Sequence, residues 1–107
     1  MFLAWFVLAI AIATEVCATL ALKPAGDGSV PALLVSVVGY AGSLGLLLWV
    51  LKRMDVSLAY AVWAGAGTAA IALIGMTALG EPVSLLKVAS IGLIIVGVVG
   101  LNLAGAA

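Results

Sequence analysis

Four long stretches of this chain carry almost no charge, and that limits what it can fold into more than any other feature. Phe2 to Leu22 is 21 residues with one charged group, Glu15, and Pro31 to Leu51 is 21 residues with none. Val56 to Gly80 is 25 uncharged residues, and Val88 to Ala107 is 20 more. A helix rises ~1.5 Å per residue, so about 20 residues cross a hydrocarbon core of ~30 Å. Each run is long enough to span a bilayer once and too short to span it twice. Backbone polar groups find no water there, so each run must satisfy its own hydrogen bonds as a helix. A transmembrane barrel needs strands of roughly 10 residues with alternating polarity, and no such alternation is present. The predicted fold is an all-α membrane protein, one domain over residues 1–107, with four transmembrane helices near 2–22, 31–51, 56–80 and 85–104.

Composition closes off other classes. The chain is 67% hydrophobic and 7% charged, against about a quarter charged in soluble domains, so a soluble fold would lack polar residues for its surface. Net charge is formally zero with no basic patch, which argues against nucleic acid as a partner. There is no histidine, and the single Cys17 excludes an intrachain disulfide and a cysteine-rich metal site. No nucleophile–base pair, phosphate loop or metal-ligand cluster stands out, so neither an enzyme nor a bound cofactor is expected. The first run lacks a basic leader and carries a carboxylate late in its apolar stretch, unlike a cleaved signal peptide.

The connections are short: residues 23–30 with Lys23, Pro24, Gly26, Asp27 and Gly28; then Lys52 to Asp55; then Glu81 to Lys87. They allow only an up-down-up-down bundle. Positive residues mark the cytoplasmic side, yet Lys23 and Lys87 on one side balance Lys52 and Arg53 on the other. Either another feature fixes orientation, or copies insert both ways and assemble antiparallel.

Glu15 is the only acidic residue inside a span, about two turns before Lys23. A carboxylate at that depth is costly and marks an ion or proton site by default. The bland alternative is a hydrogen-bonded glutamate that only holds helices together. Three and four residues away along the helix lie Ala11, Ile12, Ala18 and Thr19. Three of the four are small or hydroxylated; they either leave room beside the carboxylate or merely let helices approach. Tyr40 and Ser43 share one face of the second span, and Tyr60 and Trp63 one face of the third, with Gly67 four residues on. Aromatic faces attract organic cations once water is excluded. Trp5 and Trp49, near span ends, fit an interfacial belt well, while a binding role is favoured for Trp63, which sits deeper, and for Tyr60, whose position alone suits either. In the fourth span Ser90, Gly97 and Ala104 recur every seven residues with Gly100 nearby, a stripe that permits close helix approach.

These residues resemble the small multidrug resistance transporters. Ala13-Thr14-Glu15-Val16 with Thr19 and Lys23 looks like that family's first helix, and Tyr40-Ala41-Gly42-Ser43 like its second. Residues 59–67, from Ala59-Tyr60 through Val62-Trp63 to Gly67, look like its third-helix signature, and Asn102 like a mark of its fourth. The likeness extends over the whole chain. It implies a prokaryotic inner-membrane protein that exports drug-like hydrophobic cations in exchange for protons, as an antiparallel homodimer or paired with a related chain. Glu15 would then be the carboxylate shared by proton and substrate. Trp63, Tyr60, Tyr40, Ser43, Trp5, Ala11, Ala18 and Thr19 would surround the substrate. Gly65 and Gly67 would let the third helix bend, and Ser90, Gly97, Gly100 and Ala104 would form the dimer contact. Guanidinium exporters of the family tend to have tryptophan three residues after the membrane glutamate, where this chain has Ala18, so quaternary ammonium and lipophilic cations are favoured. The family's fourth-helix motif usually begins with glycine where this chain has Ser90, and its first loop is usually aromatic and basic where this chain has residues 25–29. A rotor-type proteolipid, or an assembly subunit that does not itself transport, is the alternative of another class. The four spans and the tyrosine–tryptophan face argue against the rotor, and the presence of Glu15 against the subunit.

Overall fold

The computed structural model describes residues 2–106; Met1 and Ala107, the ends of the domain expected above, lie outside them. The described residues form helices and connecting turns: α1 (Phe2–Leu20), α2 (Leu22–Gly26), α3 (Val30–Val50), α4 (Val56–Thr77) and α5 (Leu85–Leu101), with a wider helical turn at Asn102–Ala106. α1 and α2 together make one apolar span, and α3, α4 and α5 with its terminal turn make the other three. The protein is thus an all-α, four-span membrane protein.

Local chemistry explains the boundaries. The break between α1 and α2 falls at Ala21 because Pro24 has no N–H to return to Leu20 and its ring crowds that carbonyl. Gly28 adopts φ +102° and turns the chain into α3. Ser29 caps α3 by accepting from the Ala32 N–H at 3.2 Å, with Pro31 in the first turn. α4 ends at Thr77, short of Gly80. Gly80 takes φ +70°, which lets the Glu81 N–H return to the Gly75 carbonyl at 2.9 Å. Ser84 caps α5 by accepting from the Lys87 N–H at 3.1 Å.

The helices stand in a row ordered α3, α1, α4, α5, in which α5 packs along α4. The row is thin, 43 × 35 × 17 Å. Its best-defined seam is α1 against α3. Ser36 Oγ donates to the Ala18 carbonyl at 2.9 Å, and Ser43 Oγ donates to the Ala11 carbonyl at 2.7 Å. Both serines and both alanines are buried. The serines are seven apart on α3 and the alanines seven apart on α1, so antiparallel helices meet in one register. Ala4 and Val50, one heptad further along each helix, are buried in a shared cluster with Leu8, Leu47, Met54, Leu58 and Ala59. Gly39 lies inside the same seam, where a Cβ would come within 2.8 Å of the Ala18 Cβ.

In lipid, burial of apolar surface does not drive helices together, because the tails are equally apolar. Close packing and interhelical hydrogen bonds of about 0.6 kcal/mol each, up to about 1.7, do so instead. That is why the seam uses alanine, glycine and serine while large residues such as Leu34, Val38 and Val96 face outward.

Gly39→Ala should therefore destabilise the purified protein by about 1–3 kcal/mol through overpacking. Gly45→Ala, where a Cβ meets nothing within 4 Å, should be neutral or stabilising. Thermal unfolding in one detergent compares the two, and equal melting temperatures would count against the seam described.

Candidate functional site

Glu15 projects from α1 toward α4 and lies half-buried. Thr19, one turn on, donates to Glu15 Oε1 at 2.9 Å, and its Oγ1 lies 2.6 Å from the Tyr40 hydroxyl of α3. A threonine hydroxyl has one proton. If that proton goes to Glu15, Tyr40 must be the donor to Thr19, and the chain runs Tyr40 to Thr19 to Glu15. The second oxygen, Oε2, is shut off from solvent and has no hydrogen-bond partner among the described residues.

Room for that oxygen comes from Gly67 of α4. A Cβ there would overlap Oε2 and stand 3.3 Å from the carboxyl carbon. The absent side chain is thus the notch in which the carboxyl group sits. Beside it opens a hollow of about 290 Å³ lined by Glu15, Thr19, Gly67, Thr68, Ile71 and Ala72. Its only charged lining residue is Glu15. No group of histidine, cysteine, aspartate or glutamate side chains is placed to hold a metal ion, among the described residues.

A second polar chain runs across the row. Trp63 Nε1 donates to Ser43 Oγ at 3.0 Å, while Ser43 donates to the Ala11 carbonyl. Ser43 is fully buried and uses its hydroxyl both ways, so it fixes the Trp63 indole and α1 at once. Tyr60 is 58% exposed, and its ring lies 5.9 Å from that of Trp63, tilted by 39°. Trp5 and Trp63 both pack against the cluster around Leu8 and Leu58. Trp5 sits about 15 Å along α1 from Glu15 by helix rise, away from the hollow.

The structure brings together Glu15, Thr19, Tyr40 and Gly67, and separately Ser43, Trp63 and Tyr60. Ala11 and Ala18 lie elsewhere: each is fully buried and faces α3, so neither borders the hollow. Gly65 faces α5, where a Cβ would meet Ile94 and Val98 at 3.1 Å each. α4 runs unbroken through Gly65 and Gly67. Ser90, Gly97, Gly100 and Ala104 are exposed, and a Cβ at Gly97 or Gly100 would meet nothing within 4 Å. Thr68, Ile71, Ala72 and Ser36 were not singled out from the sequence. For Ser36 a signal existed, since it stands one heptad before Ser43.

The chain matches the family model described as Small Multidrug Resistance protein over residues 3–94. It is 46% identical over 101 residues to the uncharacterized membrane protein YvaE of Bacillus subtilis, covering 92% of this chain and 84% of that one. It is also 46% identical over 98 residues to the multidrug resistance protein Mmr of Mycobacterium tuberculosis, with coverage of 90% and 92%. The guanidinium exporter of Yersinia pestis is 38% identical over 103 residues, with coverage of 95% and 99%.

Filling the notch should displace the carboxyl group. In Gly67→Ala the side-chain carboxyl carbon-13 resonance of Glu15 should move clearly from its wild-type position. In Gly65→Ala, which crowds α5 instead, it should stay. Equal displacement in both variants would remove Gly67 from the site.

Proposed function

The chain belongs to the small multidrug resistance family of membrane transporters, and we propose that it exports lipophilic and quaternary ammonium cations in exchange for protons through Glu15. It is a multi-pass bacterial membrane protein. The observation that carries the reading is Glu15 Oε2, a carboxyl oxygen kept from water and without a hydrogen-bond partner among the described residues, set beside a hollow. An unpaired carboxylate in that setting is costly. A proton or a cation relieves the cost, and both compete for the same oxygen.

Exchange follows from that competition. Where protons are abundant, Glu15 takes one and loses its hold on the cation. Where they are scarce, the carboxylate gives up its proton and attracts a cation. Thr19 keeps Oε1 oriented in both states and Tyr40 steadies Thr19. Trp63 and Tyr60 supply aromatic faces to a positively charged guest, with Ser43 acting as the residue that positions Trp63.

Two protomers complete the site in this reading, as an antiparallel homodimer or a pair with a related chain. The thin row of helices supports it, because the row buries no second layer against itself. So does the outward stripe of Ser90, Gly97, Gly100 and Ala104 on α5. Gly65 and Gly67 keep α4 slim at both of its seams, which supports bending there as access alternates.

A guanidinium exporter is the second reading, favoured by the likeness to the Yersinia protein of that name. The α1–α3 seam supports the first. Ala18 is fully buried against Gly39, so a tryptophan at this position would part the two helices.

Glu15→Gln should abolish proton-driven uptake of a quaternary ammonium ion into proteoliposomes, and transport at normal rates in that variant would refute the coupling. On the wild type, electrical recording on a solid-supported membrane should give currents with tetrabutylammonium. A current with guanidinium alone would overturn the substrate class.

A further inference from the structure

Glu15 is not the only carboxylate that occupies the space of a missing side chain on α4. Gly75 is buried, and a Cβ there would overlap Glu81 Oε1 and stand 2.7 Å from the Glu81 carboxyl carbon. The turn at Gly80 folds Glu81 back along the helix, with its N–H on the Gly75 carbonyl. Gly67 and Gly75 are eight residues apart, about 12 Å of helix rise, so two carboxylates sit against one helix at two depths.

The second carboxylate also stands over a cavity. A groove of about 400 Å³ between α4 and α5 is lined by Glu81 and Lys87 at its mouth and by Thr68, Ala72, Met76 and Ile94 within. The lining is mainly apolar. Thr68 and Ser90 each spend their hydroxyl proton on a carbonyl one turn back, at 2.7 Å. The Lys87 ammonium donates to the Pro82 carbonyl at 2.7 Å, and no ion pair joins it to Glu81 among the described residues. Glu81 is left as the one anionic group of an apolar trough at the end of a span. Thr68 and Ala72 also line the hollow beside Glu15. With Met76 they form a single face of α4, spaced four residues apart, and Thr68 and Ala72 border both cavities.

We propose that Glu81 and the α4–α5 groove form a peripheral site for lipophilic cations, which then pass along the Thr68–Ala72–Met76 face to Glu15. The groove offers apolar walls for the body of such a molecule and one carboxylate for its charge, at the depth where an amphiphilic cation rests in a bilayer. The proposal takes its ligand class from the cation-transport reading above and adds a point of entry to it.

The test uses the full chain in proteoliposomes, with tetrabutylammonium as the probe and electrical recording as the readout. Glu81→Gln should raise KM about two- to fivefold, as expected for an exposed ionic contact, with kcat unchanged. Glu81→Lys should raise KM further. Glu15→Gln should lose the current altogether. A wild-type KM in Glu81→Gln, with normal currents, overturns the peripheral site and leaves the transport reading intact. Absence of current from the wild type overturns both. A second measurement needs no Glu81 variant: a photoreactive quaternary ammonium should label Met76 or Leu86 in the wild type and continue to do so in Glu15→Gln. Labelling confined to residues around Glu15 overturns the proposal.

Discussion

One acid in a medium that cannot solvate it organises this molecule. Glu15 sits near the middle of its span, so every group around it must either pair with it or keep clear of it. Thr19 does the first and Gly67 the second. The remaining oxygen has no protein partner among the described residues, and the capacity to bind something else follows from that imbalance. The rest of the fold supplies the frame: an α1–α3 seam drawn tight by two serines, and an α4 stripped of bulk where the carboxyl group enters.

The frame also explains the unusual division between small and large residues. In water, large aliphatic side chains would be buried and small ones tolerated. Here many large residues such as Leu34, Val38 and Val96 face out, while Ala4, Ala11, Ala18, Ser36 and Ser43 are buried beside a few large ones, Leu8, Leu47, Val50 and Leu58. Lipid removes the reward for hiding leucine, and close backbone approach takes its place. The same logic sets Gly65 against Ile94 and Val98 of α5.

Much of this was legible in the sequence, for physical reasons. Span number and position followed from the lengths of uncharged runs, because lipid leaves the backbone one economical solution. The importance of Glu15 followed from the rarity of such a residue at that depth. What sequence could not decide was which neighbour each small residue faced. Ala11 and Ala18 sit one turn from Glu15 in the chain, a position equally compatible with lining a cavity and with meeting a helix, and the structure places both against α3. Gly67 was visible as a neighbour of the Trp63 face, but its use as a notch depends on where α1 crosses α4, which no local pattern encodes. Glu81 read as an ordinary loop residue until the left-handed Gly80 turned it back over Gly75.

The matched spacing of the two serine bonds carries a mechanical consequence. Ser36 and Ser43 engage carbonyls that are themselves one heptad apart, so a slide of α1 along α3 breaks both bonds together. Each serine would then have to find another α1 carbonyl, and their shared spacing means that they would have to do so in step. The α1–α3 seam is thus braced against sliding at two points at once, and no such serine pair braces α1 against α4 among the described residues.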